Sequence, residues 1–225
     1  MNDDESVSAF REFIDDVGYP CVGAKSAAAR HQITYVLARD IRSAWNDVEI
    51  IQVLDQFARQ YNESPKMFQS LVVIFQSDEI LSEAEYEKCL WERLQSLHDK
   101  DEFKGCKYDE SVAADPAHPE FSLSFGGQAF FAVGMHPGAS RKARRFGRSA
   151  IVFNLHDQFV SLREAGKYQK MRAKILQRDK QWSGSINPML AVHGSVSEAR
   201  QYSGRLVEEG WQCPFTPHRI GNKPE

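Results

Sequence analysis

A chain of 225 residues and 25.6 kDa, with 42% hydrophobic and 26% charged residues, has the size and composition of one folded domain. The formal net charge of −3 gives no general attraction to nucleic acid or to an anionic membrane surface. Its longest apolar runs, Leu71–Phe75 and Ala129–Val133, are too short to span a bilayer.

In chain order, Ser8–Asp16 sets Phe10, Phe13 and Ile14 at helical spacing, and Gly18 then Pro20 end the helix. Gln32–Ala38 alternates, with Ile33, Tyr35 and Leu37 on one side, and reads as a strand. Asn46 or Asp47 can cap a helix over 48–60, whose Ile50, Ile51, Leu54, Phe57 and Ala58 make an apolar stripe. Gln69–Gln76 reads as a buried strand. Ser82 with Glu85 is a capping-box pattern that opens a helix reaching about His98. Residues 99–120 are polar and broken by Gly105, Pro116 and Pro119, so a long loop is expected. Phe121–Phe125 and Gln128–Val133 flank Gly126-Gly127, the signature of a hairpin. Ser149–Leu155 is a further strand, and from His156 a long helix is expected, burying Phe159, Leu162, Tyr168, Met171, Ile175 and Leu176. Beyond Gly184 the chain reads as irregular. The expected architecture is α+β: a single domain of about five mostly antiparallel strands with helices packed on the sheet. Residues 1–7 and 216–225 are expected to lie outside the ordered part.

The acidic start Met-Asn-Asp-Asp-Glu-Ser lacks the basic-then-apolar pattern of a signal peptide, so a cytoplasmic location is expected. Cys21, Cys89, Cys106 and Cys213 show no C-x-x-C spacing, and in that compartment they are expected to be reduced thiols.

Chemistry concentrates in a few places. After the strand that stops at Gly134, a loop presents His136, Ser140, Arg141, Lys142, Arg144 and Arg145. Such a loop can hold an anion on a rigid scaffold, or can be a solvated basic turn. Cys21 follows Pro20 and precedes Val-Gly-Ala-Lys. Gly23 leaves room beside the sulfur, and Lys25 or a helix start near Gly23 would lower the thiol pKa. The alternative for Cys21 is a buried structural cysteine. His156 follows a strand, and Asn154 or Asp157 near it can serve as a helix cap. Glu198, Arg200, Tyr202 and Arg205 form a second polar cluster, able to grip both ends of a zwitterionic molecule or to form structural ion pairs. Cys213, beside Pro214, is a weaker thiolate candidate. His31, His98, His118, His193 and His218 read as loop or solvent-facing residues.

Four segments in this order, Tyr-Pro-Cys-Val-Gly-Ala-Lys at 19–25, the Gly126–Arg145 stretch, Phe-Asn-Leu-His-Asp-Gln-Phe at 153–159 and Ser-Glu-Ala-Arg-Gln-Tyr-Ser-Gly-Arg at 197–205, resemble the YqcI/YcgG family. Within it they are most similar to a heme-dependent branch typified by the guanitoxin-pathway N-hydroxylase, and the resemblance runs from about Tyr19 to Phe215. It implies a heme b monooxygenase that hydroxylates a nitrogen of a guanidine- or amine-bearing small molecule. Cys21 would be the axial ligand, with His136 as the alternative ligand or as a substrate-side residue. Lys25, Arg141, Arg144 and Arg145 would serve the cofactor, the three arginines by pairing with the propionates. Replacing those arginines is then expected to weaken heme affinity with little change in apo-protein melting. His136, His156 and Glu198 are the catalytic candidates, and Glu198, Arg200, Tyr202 and Arg205 the substrate-binding ones. Electrons would come from a separate donor or from peroxide, and a homodimer is compatible with the sequence. The rival readings are a heme-binding or heme-sensing protein without turnover and a cofactor-free small-molecule or anion-binding protein.

Overall fold

The computed structural model describes residues 3–189 and 196–217. Five strands form a single sheet: β1 (Ile33–Ala38), β2 (Ser70–Phe75), β3 (Leu123–Phe125), β4 (Gln128–Met135) and β5 (Ala150–Leu155). Their order is β1-β2-β5-β4-β3, with β1 and β2 parallel and the remaining pairs antiparallel. Six helices surround the sheet: α1 (Asp3–Asp15), α2 (Val22–Ala29), α3 (Asp47–Glu63), α4 (Glu83–Phe103), α5 (His156–Glu164) and α6 (Tyr168–Ser183). The expected α+β class and the mostly antiparallel five-stranded sheet are thus observed. The parallel pair requires a crossover, and α3 supplies it between β1 and β2.

Alternation along the strands gives the sheet two apolar faces. Leu71, Val73 and Phe75 of β2 and Ile151, Phe153 and Leu155 of β5 point to one side. There they pack with the α3 stripe Ile50, Leu54 and Phe57 and with Tyr86, Leu90 and Leu94 of α4. Val72, Ile74, Ala150, Val152 and Met135 point to the other, where Phe10 and Ile14 of α1 and Tyr19 cover part of the surface. The first face is a filled core. The second holds the site.

Several boundaries differ from the sequence reading for identifiable reasons. The first helix begins at Asp3 rather than Ser8, and the side chain of Ser6 is buried against Gln76, so this part of the 1–7 segment belongs to the fold. The Ser82–Glu85 capping box forms as expected, but α4 runs on to Phe103. Polar residues of its last turn find partners there: Lys100 reaches Ser96 and Asp47, and Asp101 accepts the Gly126 N–H of the hairpin turn. The single long helix expected after His156 is two helices. Gly166, at φ +65°, takes the left-handed conformation that turns the chain between α5 and α6.

Candidate functional site

A cavity of about 290 Å³ lies between the second sheet face and α6, near the small end of the range typical of small-molecule sites. Its floor is apolar, with Val72, Val152 and Val133 from adjacent strands. The roof is the face of α6 expected to pack into the core. Met171, Ile175 and Leu176 are only partly buried because they look into this space, and Asp179 is the one buried residue among the described residues of α6. Polar groups enter from the edges: Cys21, Arg141, Arg144, His156, Glu198 and Gln201.

Cys21 is the N-cap of α2, and its sulfur accepts the Ala24 N–H at 3.4 Å. Cys21 is half-buried and is one of the residues that line the cavity. Burial pushes the thiol above its ordinary pKa, while the Ala24 and Gly23 N–H groups and the Arg144 charge oppose the rise. The expected lowering by Lys25 does not occur. Lys25 turns away and donates to the Asp15 and Asp16 carbonyls at the end of α1, at 3.0 and 2.6 Å, so it is not a cavity residue. A Cβ on Gly23 would sit 3.4 Å from the Phe68 ring and 3.8 Å from the sulfur, ordinary van der Waals contacts, so the space beside the thiol does not depend on glycine.

The basic loop divides. Arg144 lines the cavity and donates to three carbonyls, those of Gly134, Tyr202 and Gln201, at 2.9, 3.2 and 3.0 Å. Its burial lowers its pKa, and no carboxylate among the described residues pairs with it directly. A guanidinium that deep, satisfied in hydrogen bonds but not in charge, favours an anion in the cavity. Arg141 also lines the cavity, but its fork is held by Asp179 at 2.6 Å and by the Ser185 carbonyl. Arg145 is exposed, binds the Ala139 and Ser140 carbonyls of its own loop, and does not line the cavity.

His136 is a correction in placement. It is 1% exposed, stacks on Tyr86 with ring centroids 4.2 Å apart, and lies outside the cavity lining. Burial lowers its pKa below the ordinary histidine value, against the raising effects of Glu83 and the Leu81 backbone. It supports the end of β4, where the Tyr86 hydroxyl accepts from Met135 N and donates to the Ala150 carbonyl. His156, in contrast, lines the cavity, with Nδ1 2.9 Å from the Ser122 hydroxyl. Neither Asn154 nor Asp157 caps α5. Asn154 takes the Ser70 hydroxyl and Asp157 takes that of Tyr61, each at 2.7 Å.

The second polar cluster also splits. Residues 198–201 form a 3₁₀ turn with three residues per turn, so Glu198 and Gln201 share a face and both reach the cavity. Arg200 points outward to the Glu208 and Trp211 carbonyls, and Arg205 pairs with Glu87 at 2.6 Å. Tyr202 is fully buried, stacked against Trp91. Of the expected substrate-binding residues, the cavity therefore gathers Glu198 and not Arg200, Tyr202 or Arg205. Cys213 packs against the filled core, its thiol pushed up to about 12 by burial. His98 is buried against Phe215 rather than solvent-facing, while His193 and His218 lie outside the described residues. Sequence reasoning missed Ser70, Gln158 and Asp179 as cavity residues. Gln158 sits inside the quoted 153–159 segment, and its strand-to-helix position was the available signal.

The segments that build this cavity are those of a known family: the YqcI/YcgG family pattern matches residues 10–216. The chain belongs to the YqcI/YcgG family. The YqcI/YcgG match spans from α1 to the segment after Phe215 and so includes every wall of the cavity. The chain is also similar to the "Uncharacterized protein YcgG" of Bacillus subtilis (strain 168), at 26% identity over 208 residues, covering 88% of this chain and 81% of that protein. No solved structure matches. Among the described residues, no helix is long and apolar enough to cross a membrane.

Proposed function

We propose that this YqcI/YcgG protein binds heme b in the cavity through Cys21 and hydroxylates a nitrogen of a small guanidine- or amine-bearing metabolite. The observation that carries the reading is the Cys21 sulfur. It belongs to a residue on the wall of an apolar cavity, at a helix start whose N–H groups oppose the rise in thiol pKa that burial imposes, beside the Arg144 guanidinium, which has no carboxylate partner among the described residues. A cysteine and an arginine on one apolar wall support a macrocycle with a thiolate ligand. Arg144 is the cation suited to a propionate. Arg141 can serve only by sharing Asp179, and Arg145 and Lys25 have no part in it. When bound, heme supplies oxygen activation, which a thiolate ligand assists by lending electron density.

The chain's own residues would do the rest. The valine floor and the α6 side chains exclude water from the site. Glu198 offers a carboxylate to a cationic nitrogen, and His156, backed by the Ser122 hydroxyl, can take or return a proton at its ring. Electrons come from an external donor or from peroxide. The rival anion-binding reading of the basic loop draws no support from Arg141 and Arg148, which are paired with carboxylates, or from Arg145, which is turned to its own loop, and rests on Arg144 alone.

The test is spectroscopic. The full chain titrated with hemin should bind one equivalent with a Soret band. Its reduced carbon monoxide complex should absorb at the long wavelength typical of thiolate ligation, and Cys21→Ser should lose that position. Failure to bind hemin stoichiometrically would remove the reading. A histidine-type spectrum untouched by Cys21→Ser would reassign the ligand.

A further inference from the structure

The cavity floor carries two carboxamides, each held by one hydrogen bond to the start of β2. Gln158 donates Nε2 to the Gln69 carbonyl at 2.7 Å. A carbonyl only accepts, so the amide oxygen is the end of Gln158 left for another group. Asn154 takes the Ser70 hydroxyl on Oδ1, leaving the two N–H donors of Nδ2. The anchors, Gln69 and Ser70, are consecutive residues at the start of β2, and Ser70 is directly opposite Asn154 in the ladder. The two amides are therefore held by neighbouring residues at the point where β5 passes into α5, and both line the cavity. Among the described residues neither the Gln158 oxygen nor the Asn154 nitrogen takes part in a hydrogen bond, and neither is sealed in the interior without one.

We propose that Asn154 and Gln158 read the polar head of the cavity's ligand, and that this head is a neutral planar group with an N–H beside a carbonyl oxygen: a primary carboxamide or a urea. The ligand N–H donates to Gln158 Oε1 and its carbonyl accepts from Asn154 Nδ2. A carboxylate head would set an acceptor against the Gln158 oxygen. A guanidinium head has donors only and leaves Asn154 without an acceptor. Each mismatch strands a polar group away from water, which sites of this kind reject. The valine row Val72–Val152–Val133 runs alongside and takes the hydrocarbon part. The inference rests on the cavity being the ligand site and is independent of whether heme binds there. The oxidisable nitrogen of the proposed reaction is a second group of the same ligand.

The experiment titrates hexanamide, hexanoate and hexylguanidinium into the isotope-labelled full chain and follows the side-chain amide signals of Asn154 and Gln158 and the methyl signals of Val72 and Val133. Hexanamide should bind at least roughly tenfold more tightly than either competitor, the loss expected for one mismatched hydrogen bond. It should also shift both amide signals. In Gln158→Met the preference over hexanoate should fall to within about threefold, and in Asn154→Leu the preference over hexylguanidinium should do so. Methyl shifts with no preference for the amide in the wild-type chain, or an unchanged preference in both variants, overturn the role of the pair while the cavity stands as a ligand site. Binding of none of the three overturns both. Hemin uptake, measured separately, reports on the cofactor reading alone. Because the wild-type ranking is itself a result, a variant that fails to fold does not decide the matter.

Discussion

Arg144→Met should unfold the protein more readily than any other replacement in the basic loop. The guanidinium is the common donor to three carbonyls from two separate segments, Gly134 at the end of β4 and Gln201 and Tyr202 after the 3₁₀ turn. A hydrogen bond from a charged donor contributes about 1.5–3 kcal/mol, and removing the charge recovers part of its own burial cost. The net loss is then about 3–5 kcal/mol, which at this chain length lowers the melting temperature by roughly 6–20 °C. Arg145→Met is the control. It touches only the Ala139 and Ser140 carbonyls of its own exposed loop and should cost less than about 1 kcal/mol. Urea unfolding of both variants and the parent, read by fluorescence and circular dichroism, gives the midpoints. An Arg144→Met midpoint equal to that of Arg145→Met would show that the three carbonyls are satisfied without the guanidinium. The hydrogen bonds also separate the arginines that the sequence grouped together: removal without much change in apo-protein melting is still expected for Arg145 and is no longer expected for Arg144.

Other expectations follow from the same geometry. Phe153→Ala, in the filled core, should cost about 3–5 kcal/mol by chemical denaturation, with the cavity face unaltered. His136 has a lowered folded-state pKa, so its contribution to stability is full above the ordinary value of about 6.5 and is lost as pH falls through the folded value. Stability measured from pH 7 to pH 5 should therefore fall by at most about 1.4 kcal/mol per pH unit from this group, and His136→Gln should flatten that part of the profile. Glu198→Gln should weaken a guanidine ligand about tenfold, read by calorimetry, with the hemin spectrum unchanged. Loss of folding in that variant would make Glu198 a structural residue instead.

The sheet was legible because each strand carries its own signal: the alternation in Gln32–Ala38, the apolar run at Leu71–Phe75 and the Gly126-Gly127 turn each mark one element. Of the helix α2 the sequence offers only a start near Gly23 and not its extent, since Val22–Ala29 is short, rich in alanine and without an apolar stripe. In the site, proximity in sequence proved a poor guide. Glu198 and Arg200 are two residues apart but face different directions on a 3₁₀ turn, whereas Cys21, His156 and Asp179 come from three distant segments. Apolar spacing on α6 marked the face that turns toward the sheet, but that face is only partly buried, because periodicity cannot tell a face that meets side chains from one that meets a cavity.

The attachment of α6 has a consequence for how the protein moves. Its ties are few and lie toward its C-terminal end: Asp179 to Arg141, Arg178 to the Val17 and Tyr19 carbonyls just before Cys21, and Trp182 against the Phe13 and Tyr19 rings. A helix held in this way opens at lower free energy than the strands beneath it, so its backbone amides should exchange with deuterium well before those of β5. Since Arg178 grips the segment that carries the thiol, that opening would not be a passive parting of a roof from a fixed wall. The same excursion that admits a molecule would loosen the loop on which Cys21 rides, and a molecule bound to both sides would damp the two together.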